Sequence, residues 1–271
     1  MVRNLTIKPL LSSDINFSLF LSEKIISVKN MYNPIMDKEE PEIKVNAPAE
    51  KLYVLENPDK EGWHEQWHSE RHLANIPHPF RAILYGKPNS GKGIIAQQLI
   101  LHANPPFQRI IVWHVSPESS KEWNDIVLDP ETDIVSELPP LEFWDKDIKS
   151  LLVIDDIDLA HLDKTTKSRL DRTLGYVSTH CGLSVIITVQ DLLQVKPNIR
   201  RLANVHILWK CSDVDTMATF ARRLGVKRKW FTQIYKKIKG YHDFVCFDNT
   251  AKSPAPIRIN LYSKVELPDE D

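Results

Sequence analysis

The chain has 271 residues, 42% of them hydrophobic, enough for one large core or two small ones. Lys and Arg number 35 against 36 Asp and Glu, so the average charge decides nothing about a nucleic-acid partner. Cys181, Cys211 and Cys246 are too few and too scattered for a disulfide framework or a metal knuckle, which points to a reducing, intracellular setting.

Residues 1 to 76 are weakly patterned, and DKEEPEIKVNAPAEK is rich in charge and proline, so this part reads as an arm or linker with little core. Its apolar stretch SLFLSEKIISV is broken by Glu23 and Lys24, which argues against a signal peptide. No run approaches the ~18 to 20 apolar residues of a membrane span. The arm also carries His64-Glu65-Gln66-Trp67-His68. On a helix the two histidines would share a face and hold zinc, with Glu65 as general base. The longer metalloprotease pattern fails, because Arg71 and Ala74 stand where a glycine and a third histidine belong. The alternative is an amphipathic segment that docks through Trp63 and Trp67, one turn apart, and this is the expected role.

From Phe80 the character changes. RAILYG, RIIVWHV, LLVID, LSVIITV and VHILWK are short β-branched runs of the kind buried on both faces, separated by helical patterns. They predict an α/β domain over 77–265, with a mostly parallel central sheet flanked by helices, and an acidic tail at 266–271. DVDTMATFARRLG predicts a helix that ends at Gly225, and DFVCFDNT with PIRINLY predicts a hairpin-like pair of strands.

The first strand and helix enclose Gly86-Lys87-Pro88-Asn89-Ser90-Gly91-Lys92-Gly93-Ile94. A glycine-rich turn between a buried strand and a helix lets backbone N–H groups approach phosphate oxygens, and the helix N-terminus adds positive potential. Lys92 would reach the β- and γ-phosphates of ATP. LLVIDDID supplies a second strand that ends in acids: Asp155 is assigned to Mg²⁺ and Asp156 to the base that polarises the attacking water, while Asp158 suits a helix cap. SVIITVQD ends a third strand at Gln190, placed to sense the γ-phosphate or orient water. Ligands bind at the carboxyl ends of such strands. In NIRRLAN, Arg200, ahead of Arg201, would neutralise transition-state charge in a neighbouring subunit's site.

The motif order GKPNSGKG, LLVIDD, THCGLSVIITVQD, NIRRLANVHILWK and YHDFVCFD resembles the genome-packaging ATPases of poxviruses and other large or internal-membrane icosahedral DNA viruses, within the FtsK–HerA superfamily. The similarity spans roughly residues 78 to 262. It implies a RecA-like P-loop NTPase, a homo-oligomeric ring that hydrolyses ATP to drive double-stranded DNA into a preformed capsid, and an arginine finger in trans, carried onto Arg200. It places the protein in the virion or the host cytoplasm or nucleus, beside capsid-vertex or membrane-associated capsid proteins. The departure is Gly93, where the family carries Ser or Thr. Glycine offers magnesium no hydroxyl; a retained water would take its place, with slower or differently tuned hydrolysis expected.

Three other readings share these residues. The loop resembles that of adenylate kinases, but Ile94 stands where they supply Thr, and the Asp-Asp strand does not suit them. A cellular DNA-pumping or helicase-like ATPase would use the same machinery. A non-hydrolysing, nucleotide-gated capsid or scaffold component would be compatible with Gly93.

Between Lys196 and Lys239 the basic residues far outnumber the acids, of which there are only Asp213 and Asp215. Such clusters bind phosphate backbones without reading bases. Lys227, Arg228 and Lys229 are the best candidates for contact with DNA, and Trp230 beside them offers a ring to stack on a base.

Overall fold

In the computed structural model the described residues are 71–191, 195–210, 220–250 and 253–268, with the backbone of 44–46. The zinc-like segment with His64, Glu65 and His68, its tryptophans Trp63 and Trp67, and Cys211 lie outside them. One compact unit covers Pro41–Asp271.

Its described strands form one ten-stranded sheet in the order β1-β10-β9-β8-β7-β2-β6-β5-β3-β4. These are β1 (Lys44–Asn46), β2 (Arg81–Tyr85), β3 (Arg109–His114), β4 (Ile134–Val135), β5 (Ser150–Asp155), β6 (Leu183–Val189), β7 (Val205–Trp209), β8 (Phe244–Asp248), β9 (Ile257–Ile259) and β10 (Ser263–Glu266). The half from β7 to β4 is parallel throughout. From β8 to β1 each strand runs antiparallel to its neighbour. All five strands expected from the apolar runs are present, and β8 and β9 pair as the expected hairpin.

The central strands β2, β3 and β5 to β8 are buried almost throughout because both of their faces are covered. In β2, Ala82 and Leu84 enter one core with Leu99 and Ile100 of helix α1 (Lys92–Leu101), while Ile83 and Tyr85 enter the other. That second core takes Leu170 of α3 (Lys164–Arg172), Ile199 of α5 (Pro197–Leu202) and Trp230 with Phe231 of α6 (Arg228–Lys237). Two shorter pieces, α2 (Pro130–Asp133) and α4 (Ser178–His180), lie in connections, and a π-helical turn at Thr173–Val177 joins α3 to α4. Crossover helices on both faces of a parallel sheet explain why each strand reads as an unbroken apolar run.

Residues upstream of the expected domain start also belong to this unit. β1 extends the sheet beside β10, and Ala74 and Ile76 are buried in the α1-side core. Arg71 donates to Asp248 at 2.8 Å, and Arg258 lies 3.3 Å from the same oxygen, both fully buried. Burial pushes the Asp248 carboxyl up, but the two guanidiniums and the Thr250 hydroxyl outweigh it and hold it below the usual range. The helix after the acidic strand is capped by Asp163, which accepts from the Thr165 and Thr166 amides. Asp158, the residue expected to cap it, instead closes a local turn with Ala160 and His161. Among the described residues no helix is long and apolar enough to cross a membrane.

Candidate functional site

β2 lies between β6 and β7 and runs parallel to both, so the loop that follows it emerges mid-sheet at the carboxyl edge. Gly86 starts the loop by donating its N–H to Val189 O at 3.1 Å, which sets it beside the end of β6 and hence beside Gln190. A side chain at Gly86 would meet Ser90 Oγ at 2.5 Å and Trp209 at 3.2 Å, so the close turn requires glycine. Asn89 and Gly91 have φ of 60° and 100°, the left-handed region. The turn delivers the chain into α1 at Lys92. No side chain caps α1, and its first intrahelical bond is Ile95 N–H to Gly91 O. The amides of Lys92, Gly93 and Ile94 therefore face the loop as donors without a helical partner, the arrangement that binds phosphate.

Lys92 folds back over the loop, with Nζ 2.8 Å from Gly86 O and 3.0 Å from Lys87 O. Burial lowers its pKa, and the nearby Asp156 and Asp155 carboxylates oppose that shift. The ammonium is thus partly desolvated, and the two acids nearby favour its charged form.

Asp155 ends β5 and is 8% exposed. Its Oδ2 accepts from Trp123 Nε1 at 2.9 Å, and its Oδ1 accepts from the Thr188 hydroxyl. Asp156 follows with φ of 53° and is exposed. The pair divides into an anchored inner carboxylate and an accessible outer one. Together they offer oxygen donors of the kind magnesium takes, with room for the waters it retains. Gly93 adds no hydroxyl, although a Cβ there would meet nothing within 4 Å. Gln190 is exposed at the end of β6.

Lys92, Asp155, Asp156 and Gln190 thus share one edge of the sheet. Arg200 and Arg201 do not. They lie on α5 and line a cavity of about 830 Å³ with Arg223 and with Arg81 and His206, which stand at the starts of β2 and β7. This is the opposite, amino edge. Arg81 is fixed there by bonds to Leu202 O and Ser178 Oγ, and burial lowers its pKa. Burial takes the His206 pKa down to about 4; its bond to Ala203 O resists this and Arg200 adds to it.

Lys227, Arg228 and Lys229 are exposed at the start of α6. Trp230 corrects the expectation of a base-stacking ring: it is 4% exposed, part of the core, and covered by Lys229 Nζ at 4.4 Å from its centroid. It sits on the helix face shared with Phe231, Ile234 and Tyr235, where burial gains more than exposure. Trp123, Thr188 and the Tyr241–His242 pair are contacts that sequence patterning missed; only the YHD at the start of the last motif touches on the pair.

No family model matches the chain, and no curated protein matches it. Among solved structures it is similar to the genome packaging NTPase B204 from Sulfolobus turreted icosahedral virus 2 in complex with AMPPCP. That similarity has 16% identity and a TM-score of 0.47, over 67% of this chain and 96% of that one. A crystal structure of B204, the DNA-packaging ATPase from Sulfolobus turreted icosahedral virus, gives 17% and 0.48 over 67% and 97%. The pCW3 conjugation coupling protein TcpA gives 14% and 0.39 over 86% and 67%.

The chain has an α/β P-loop fold. Its strand, glycine-rich loop and helix follow one another at the carboxyl edge of a parallel sheet.

Proposed function

We propose that this protein is an ATPase whose turnover moves double-stranded DNA, in the manner of a viral genome-packaging motor. The supporting observation is the convergence of an uncapped helix start, Lys92, the Asp155–Asp156 pair and Gln190 on one sheet edge. Loop amides and Lys92 bind and orient the triphosphate. Asp155 would hold Mg²⁺, which would supply charge neutralisation at the phosphates when bound. Asp156 accepts a proton from the attacking water, and Gln190 orients that water. Arg200 serves the site of an adjacent copy, because on its own chain it stands at the far edge of the sheet. That assignment makes the working form a homo-oligomeric ring. The exposed Lys227, Arg228 and Lys229 contact duplex phosphates. The motif order shared with packaging ATPases favours a viral capsid as the destination.

The test is ATP turnover with and without duplex DNA. Stimulation by duplex is expected in the native chain, and Lys92→Ala should lower turnover by ~100- to 1,000-fold, the scale of losing one charged transition-state contact. Turnover that ignores DNA would favour the nucleotide-gated capsid component instead.

A further inference from the structure

The outer rim of the phosphate loop is held by a segment about 150 residues away in sequence. Between α6 and β8, the Tyr241 hydroxyl donates to Pro88 O at 2.9 Å, and His242 Nδ1 lies 3.1 Å from Ser90 O. The segment is itself secured. Trp209 Nε1 donates to His242 O at 3.2 Å, and Asp243 Oδ2 accepts from the Gly240 amide at 2.7 Å. Asp243 Oδ1 accepts from Asn260 Nδ2 at 3.0 Å. Tyr241 is 59% exposed, so its position is not explained by burial in the core.

A trans peptide unit is rigid and planar, with its C=O and N–H pointing in opposite directions. Holding Pro88 O from outside therefore turns the Asn89 N–H inward, and holding Ser90 O turns the Gly91 N–H inward. Asn89 and Gly91 are the two loop residues with left-handed φ, where the backbone most needs support. We infer that Tyr241 and His242 are positioning residues that preorganise the phosphate loop, aiming the Asn89 and Gly91 amides at the nucleotide's phosphates. The inference rests on the nucleotide-binding reading of the same loop. Its consequence is that the α6–β8 turn sets affinity for the triphosphate without touching the reacting atoms.

Tyr241→Phe removes only the hydroxyl, and His242→Ala removes the imidazole; both side chains are exposed, so folding should survive. Two readouts separate the claims. In the nucleotide-free full chain, NMR order parameters of amides 89 to 91 should fall in both variants from the rigid range near ~0.85 toward ~0.6. In ATP binding and turnover, Tyr241→Phe should weaken affinity by about 3- to 10-fold, the worth of one neutral hydrogen bond, with kcat at saturation unchanged. Unaltered order parameters in both variants would overturn the inference, as would a fall in kcat at unchanged affinity. A native chain that binds no ATP would defeat the proposed function alone; the order parameters would still decide whether the turn positions the loop.

Discussion

The two ends of the parallel strands are chemically opposite. The carboxyl edge carries uncapped helix amides, left-handed backbone at Asn89, Gly91 and Asp156, and exposed acid and amide side chains. The amino edge carries cations: Arg81, Arg200, Arg201 and Arg223 around one cavity, and the buried Lys149 just before β5. Strand direction enforces this division. Residues that follow strands collect at one edge, and residues that precede them collect at the other, about one strand length away. A chain that needs both sets for one reaction must borrow one of them from a second copy.

The largest expected effect tests that division. Arg200→Ala should lower turnover by ~10³-fold or more while leaving ATP affinity near native. Mixing inactive Arg200→Ala and Lys92→Ala chains should restore part of the activity, since some interfaces would unite an intact arginine with an intact lysine. Assays of each variant alone and mixed will check this, and no recovery on mixing would place the arginine's action within its own chain.

Next in size is the exposed basic corner of α6. Replacing Lys227, Arg228 and Lys229 by Glu should weaken duplex binding and flatten its salt dependence by ~0.9 in log–log slope for each phosphate that is no longer neutralised. ATP turnover without DNA should stay at the native rate. Binding titrations at several salt concentrations will measure the slope.

A smaller effect is expected at Gly93, where space exists for a side chain. Gly93→Thr should raise magnesium-dependent turnover several-fold by adding a hydroxyl ligand, and replacing a helical glycine by threonine should stabilise the chain by ~0.3 kcal/mol. Steady-state rates across a magnesium titration and thermal melts will check both parts.

A last effect, on stability rather than turnover, concerns the amino edge alone. Burial takes the Lys149 pKa down to about 7; Nζ donates to Pro105 O and lies 5.0 Å from the Phe107 centroid. Between pH ~7 and ~10.4 the unfolded chain binds more protons at this group than the folded one, so its contribution to stability rises with pH across that window. The penalty of charging it is complete below about pH 7. Lys149→Met should therefore flatten the rise in stability between about pH 7 and 10, as read from denaturant midpoints.

Much of the fold and the site is legible in the sequence because it depends on local chemistry. Uniform apolar runs announce strands covered on both faces, and Gly86, Gly91 and Lys92 between such a run and a helical pattern mark the turn from strand to helix. Acids and glutamine directly after such strands fall at one edge because parallel strands share a direction. Trp230 misleads because its neighbours are basic; the helix turns it to the face where Phe231 and Ile234 are buried.

Local residue order thus accounts for the parallel α/β core, the glycine-rich loop and the edge that gathers Lys92, Asp155, Asp156 and Gln190. Packing across the whole sheet is what brings Trp123 and Thr188 to the oxygens of Asp155, sets Tyr241 and His242 against the loop from outside, and leaves Arg200 at the far edge. The reason is physical. Backbone propensity and strand polarity act over a few residues and leave a periodic trace. A hydrogen bond between residues 88 and 241 depends on how the whole sheet brings two distant turns together, and no local pattern encodes that.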